Sequence, residues 1–105
     1  MTLAETETNW EEQEQLYVLR LYVAGTSPNS VRAVSNIKKI CKNHLKDNYD
    51  LEIVDVYQQI EKAGEDQLIA LPLLVKKAPG QLRRLVGDMS DEEKVLKGLG
   101  VHKIV

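Results

Sequence analysis

From Leu16 to Ala24 the chain reads LYVLRLYVA, apolar at nearly every position with Arg20 the exception. Such a run, rich in β-branched and aromatic residues, describes a strand covered on both faces, as in the interior of an α/β sheet. Gly25 ends it. Thr26-Ser27-Pro28 then opens a helix, because a hydroxyl can accept from the free amides of the first turn. Pro28 has no N–H to leave unpaired at the first helical position. Val31, Val34, Ile37, Cys41 and Leu45 recur at steps of three and four. Arg32, Lys38, Lys39, Lys42 and Lys46 fall mainly to the other side, which predicts an amphipathic helix of about 17 residues. Asp47-Asn48 closes it.

Leu51–Val56 reads as a second strand, so strand, helix and strand form a right-handed crossover with the strands parallel. Tyr57–Ile69 is polar with spaced apolar positions, which predicts a helix. Gly64 in its middle costs about 1 kcal/mol relative to alanine and leaves that helix weak or broken. Leu73–Lys77 and Gln81–Val86 flank Ala78-Pro79-Gly80. Proline followed by glycine suits the centre of a type II turn, so these two strands form an antiparallel hairpin. Ser90-Asp91-Glu92-Glu93 has the form of a capping box, with Val95, Leu96 and Leu99 as the apolar face and Gly100 as the stop. The order is βαβαββα, an α/β chain in the thioredoxin arrangement.

Charge divides this picture. Residues 1–15 hold Glu5, Glu7, Glu11, Glu12 and Glu14 and no base, which leaves 11 acids against 14 bases in the remainder. A surplus of three is too small to argue for nucleic acid. The acidic opening, with Trp10 its one large apolar group, reads as a disordered tail ahead of one domain over 16–105. No apolar run approaches the roughly 20 residues that span a bilayer. One cysteine allows no internal disulfide, and the acidic N-terminus is no secretory signal. A cytoplasmic protein is expected.

The chemistry-bearing residues are sparse. A thioredoxin-type enzyme needs a cysteine pair at the start of its first helix, where the helix terminus lowers a thiol pKa. Here that place reads Thr26-Ser27-Pro28-Asn29, so disulfide exchange has no nucleophile. Cys41 lies on the apolar stripe and reads as a small buried hydrophobe. Cys41 and His44 have helical ligand spacing but no second pair, and His102 stands apart, so no metal site is expected. Leu71-Pro72 precedes a strand where thioredoxin folds usually hold a cis proline, and a rigid bend is expected. Arg83 and Arg84 occupy one strand and point to opposite faces, one of them available for a partner or for an ion pair with Asp88. Neither a catalytic set nor a cofactor loop is visible.

Four blocks, YVLRLYVAGTSPNSVRA, LEIVDV, ALPLL and RRLVGDMSDEEKVLKGL, closely resemble the KaiB family of circadian-clock proteins, over Leu16–Leu99. The same fold serves as the sensor domain of a clock histidine kinase. The resemblance implies a non-catalytic module that binds the N-terminal ATPase ring of a KaiC-type protein, with no cofactor. It places the partner surface on Glu65, Asp66 and Gln67, with Pro72, Lys76 and Arg83 nearby. It also implies a metamorphic chain, thioredoxin-like as a monomer and differently folded in its C-terminal half as a tetramer. Tyr17, Pro72, Gly98 and Gly100 are the residues the family links to that switch.

Asp50 and Glu52 depart from the family, which tends to carry small and basic residues there towards KaiA. Opposite charge at a contact works against complementarity, so capture of KaiA is not expected; a clock histidine kinase is not an expected partner either. Gln67 and Leu71 also replace a common lysine and threonine. The helical signals after Ser90 each contribute about 0.3–1 kcal/mol, enough together to favour the thioredoxin-like state, as a monomer or weak dimer. The rival readings are a thiol-handling protein using Cys41 and a stress-response paralogue without a clock.

Overall fold

The computed structural model describes residues 16–64 and 70–101. The expected acidic tail, Glu65, Asp66, Gln67 and His102 lie outside the described residues. Four strands, β1 (Tyr17–Val23), β2 (Tyr49–Asp55), β3 (Leu73–Ala78) and β4 (Arg83–Val86), form one sheet in the order β2-β1-β3-β4. β1 and β2 are parallel, while β3 runs antiparallel to both β1 and β4. Helices α1 (Pro28–Ile40), α2 (Ile60–Ala63) and α3 (Glu92–Leu99) complete the βαβαββα order.

Alternation along β1 sorts its side chains between two cores. Leu19, Leu21 and Val23 enter the larger one, with Ala33, Ile37, Ile40 and Cys41 from the first helix and Val95, Leu96 and Leu99 from α3. Tyr22 turns to the other face and packs with Val54, Leu73 and Val75. β1 is thus covered on both sides, as its run of apolar residues, broken only at Arg20, requires.

Several local expectations need correction. Ser27 caps α1, its hydroxyl accepting from the Ser30 amide at 3.3 Å, and Pro28 opens the helix as expected. The buried face holds Ile37, Cys41 and Leu45 of the expected stripe, with Val34 half-buried, and adds Ala33 and Ile40, while Val31 is 55% exposed. The final turn, Cys41–Leu45, widens to a π-helix before Lys46 takes a positive φ of 55°. α2 spans only Ile60–Ala63 and ends at Gly64, the glycine that weakens it.

The Ala78–Pro79 peptide bond is cis, Gly80 takes the positive φ (74°) expected of it, and β4 starts at Arg83 rather than Gln81. Asp91, not Ser90, caps α3: its carboxylate accepts from the Lys94 amide at 3.2 Å. Ser90 is occupied one turn earlier, its amide donating to the Asp88 carboxylate at 3.1 Å.

Candidate functional site

Parallel strands of an α/β sheet deliver their loops to one end, where such folds commonly build sites. After β1 comes Gly25 at a φ of 58°, with its amide 3.2 Å from the Asp55 carboxylate. The same Asp55 oxygen accepts from the Tyr57 amide at 3.0 Å, so one side chain ties the loops after β1 and β2 together. The Tyr57 ring covers Gly25, where an added Cβ would meet it at 3.5 Å. Ser30, fully buried, accepts from the Ala24 amide and from the Ser27 hydroxyl, at 3.0 and 2.8 Å. The start of α1 is therefore filled by hydroxyls bonded to one another, in the place a thiol pair would need. Leu71–Pro72 is cis, as the fold led us to expect. Pro72 is buried, and its carbonyl receives the Gly87 amide at 3.0 Å.

The face of the sheet that carries Tyr22 also holds a closed ring of polar contacts. Arg20 and Glu52 are cross-strand partners in the β1–β2 register, and Arg20 Nε lies 2.9 Å from Glu52 Oε1. The other carboxylate oxygen of Glu52 bonds Lys62 Nζ. Arg20 Nη1 donates to the Tyr22 hydroxyl at 3.1 Å, and that hydroxyl donates to the Lys62 carbonyl at 3.0 Å. The Lys62 bond, then burial acting oppositely, then Arg20 set the balance that holds the Glu52 carboxyl below its usual range. Asp50, two residues earlier on the same face, is exposed. The two acids that stand out in the sequence thus have different environments.

The remaining site residues also separate. Lys76 is only 6% exposed and donates to the Pro79 carbonyl, inside the hairpin turn. Burial, with Arg83 nearby, pushes its ammonium below the usual range. Arg83 and Arg84 are both exposed and pair with Lys76 and Val75 across the hairpin, so they do face opposite ways. The expected ion pair to Asp88 is made instead by Arg32, at 3.2 Å. Asn36 donates to the Asp88 carbonyl at 2.8 Å, which docks the loop before α3 onto α1. His44 contacts Glu92 at 3.2 Å, and among the described residues no cluster could hold a metal ion. Cys41 is fully buried, and burial pushes its thiol up to about 11.

Tyr17 begins β1 with its amide on the Asn48 carbonyl at 2.9 Å. Gly98 lets α3 approach β4: a Cβ there would sit 2.6 Å from Leu85. Gly100, at a φ of 78°, donates to the Lys97 carbonyl and Val101 to the Leu96 carbonyl, the pair of bonds of a Schellman close. The ring around Glu52 went unread in the sequence. Its only signal there is opposite charge at equivalent places in two strands, legible once the β1–β2 register is known.

A thioredoxin-like scaffold with hydroxyls at the head of its first helix is the class that fold and site define. It superposes on a thioredoxin of Fasciola hepatica with a TM-score of 0.67 at 20% identity, covering 96% of this chain and 94% of that one. The N-terminal domain of Synechococcus elongatus SasA gives a TM-score of 0.65 at 26% identity, with 87% and 90% covered. The family model described as the KaiB domain matches residues 20–101. The circadian clock oscillator protein KaiB of Prochlorococcus marinus is 49% identical over 83 residues, 79% of this chain and 78% of that protein. Its counterpart in Picosynechococcus is 48% identical over 86 residues, 82% and 83% of the two chains. The chain belongs to the KaiB family.

Proposed function

We propose that this protein is a non-catalytic clock module that binds a KaiC-type ATPase ring in its thioredoxin-like state. The observation that carries the reading is the family match, which spans nearly the whole described fold. The head of α1 supports the absence of catalysis. Ser27 and Ser30 engage each other there, and the single thiol is buried and protonated at neutral pH. A thiol-handling role would need a thiolate in contact with solvent.

By the family resemblance, the docking surface comprises Glu65, Asp66 and Gln67, with Arg83, exposed on β4, as a further contact. Pro72 and Lys76 shape its neighbourhood from within, since both are buried. Clock relatives that capture KaiA would do so near the β2 edge, where exposed Asp50 works against such a contact here. Fold switching through Tyr17, Pro72, Gly98 and Gly100 belongs to the same reading.

Mixing the purified chain with a KaiC-type ring and following co-elution tests it. A complex is expected, weakened by charge reversal at Arg83. No complex with any phosphorylation state of the ring overturns the reading.

A further inference from the structure

We infer that Glu52 is a positioning residue that sets the orientation of α2, rather than a partner contact. The inference rests on the proposed docking surface for its functional meaning, although its structural half stands alone. α2 has four residues, far fewer than an isolated helix needs to persist in water. Its burial cannot hold it, because no residue of α2 is buried and Ile60 is 72% exposed. The ring on the sheet supplies the missing restraint and grips one residue, Lys62, at two points.

The Tyr22 hydroxyl, on a side chain with no exposure, donates to the Lys62 carbonyl at 3.0 Å. That carbonyl lies at the end of the helix, where carbonyls lack intrahelical partners. The Glu52 carboxylate holds the ammonium of the same residue and, through its second oxygen, Arg20 at 2.9 Å. Arg20 in turn donates to the Tyr22 hydroxyl at 3.1 Å. Glu52 therefore joins β1, β2 and α2, and each contact orients the next. Removing the carboxylate frees the Lys62 side chain and loosens Arg20 and Tyr22 as well. Its outward neighbour Asp50 shares the strand face and carries no such contact to α2 among the described residues.

Amide hydrogen exchange on the full chain tests this, with Glu52→Gln, Lys62→Met, the double variant, and Asp50→Asn as control. The Lys62, Ala63 and Gly64 amides close the α2 turns on Gln59 and Glu61 carbonyls, at 3.1–3.2 Å. Their exchange should quicken about two- to fivefold in Glu52→Gln, the range a partly exposed ion pair commands. The double variant should match Glu52→Gln, because the Lys62 contact is already lost once the carboxylate is gone. Asp50→Asn should exchange like the unaltered chain, and the urea midpoint should move little in any variant. Binding to the ring should weaken by a similar factor in Glu52→Gln but not track the urea midpoint.

Unchanged exchange in Glu52→Gln, or additive effects in the double variant, overturns the anchoring role. Quickened exchange with undiminished ring binding overturns the positioning role. A ring that fails to bind the unaltered chain counts against the proposed function instead, and the exchange data still decide what Glu52 does.

Discussion

Cys41 shows how one buried atom separates two functional readings. It packs among Ala33, Ile37 and the strand side chains of the larger core, where a thiolate would lose its hydration. Its pKa rises from the ordinary 9.0 to about 11, so the folded state favours the neutral thiol. The sign follows: this stabilisation is complete below pH 9 and disappears as the pH passes through 11. Compared with Cys41→Ala, the unaltered chain should lose about 2 kcal/mol of stability across that window. Urea titrations at several pH values measure it, and a flat difference would contradict the burial argument. Below pH 8, Cys41 should also react with a soluble disulfide reagent only as fast as the fold opens.

The C-terminal helix is where element-scale forces are most legible. Asp91 caps its start, Glu92 and Glu93 occupy the first turn, Lys97 the last, and Gly100 closes it in the left-handed region. Acids at the start and bases at the end both oppose the helix dipole favourably. Asp91→Ala should cost about 1 kcal/mol through the lost cap. Gly100→Ala should cost about 1–2 kcal/mol, because a Cβ is strained at a positive φ. Gly98 is constrained from outside the helix by the Leu85 side chain. Gly98→Val should overpack that contact and cost about 1–3 kcal/mol, whatever alanine-like gain the helix itself makes. Chemical denaturation of the three variants checks these values. An unchanged midpoint for Gly98→Val would mean that Leu85 yields freely. All three also weaken the fold in which 92–99 is helical, and therefore bear on the balance between states proposed for this family member.

At the scale of the molecule, the expected resting state is thioredoxin-like, as a monomer or weak dimer. Sedimentation should give a mass of one to two chains at micromolar concentration, and amide NMR should show helical shifts over Glu92–Leu99. A stable tetramer with strand shifts there would reverse the assignment.

Much of this fold is written in local pattern. The apolar run of β1, the hydroxyl-proline start of α1, the interruption at Gly64 and the stop at Gly100 all appear in the structure where residue types place them. Short-range preferences decide them, with partners a few residues away. The missing thiol pair is equally local. Other features depend on residues far apart in the chain. Val31 is exposed although it lies on the stripe, and Ile40 is buried although it lies beside it, because the sheet, not the helix period alone, selects which part of α1 is covered. Lys76 is buried by the turn that follows it, and Arg32 takes Asp88 from across the molecule. Glu52 reads as an acid in an unexpected place until the parallel register sets Arg20 beside it and α2 brings Lys62 within reach. A strand's sequence shows which residues alternate, but a charge acquires its meaning from neighbours that only tertiary packing supplies.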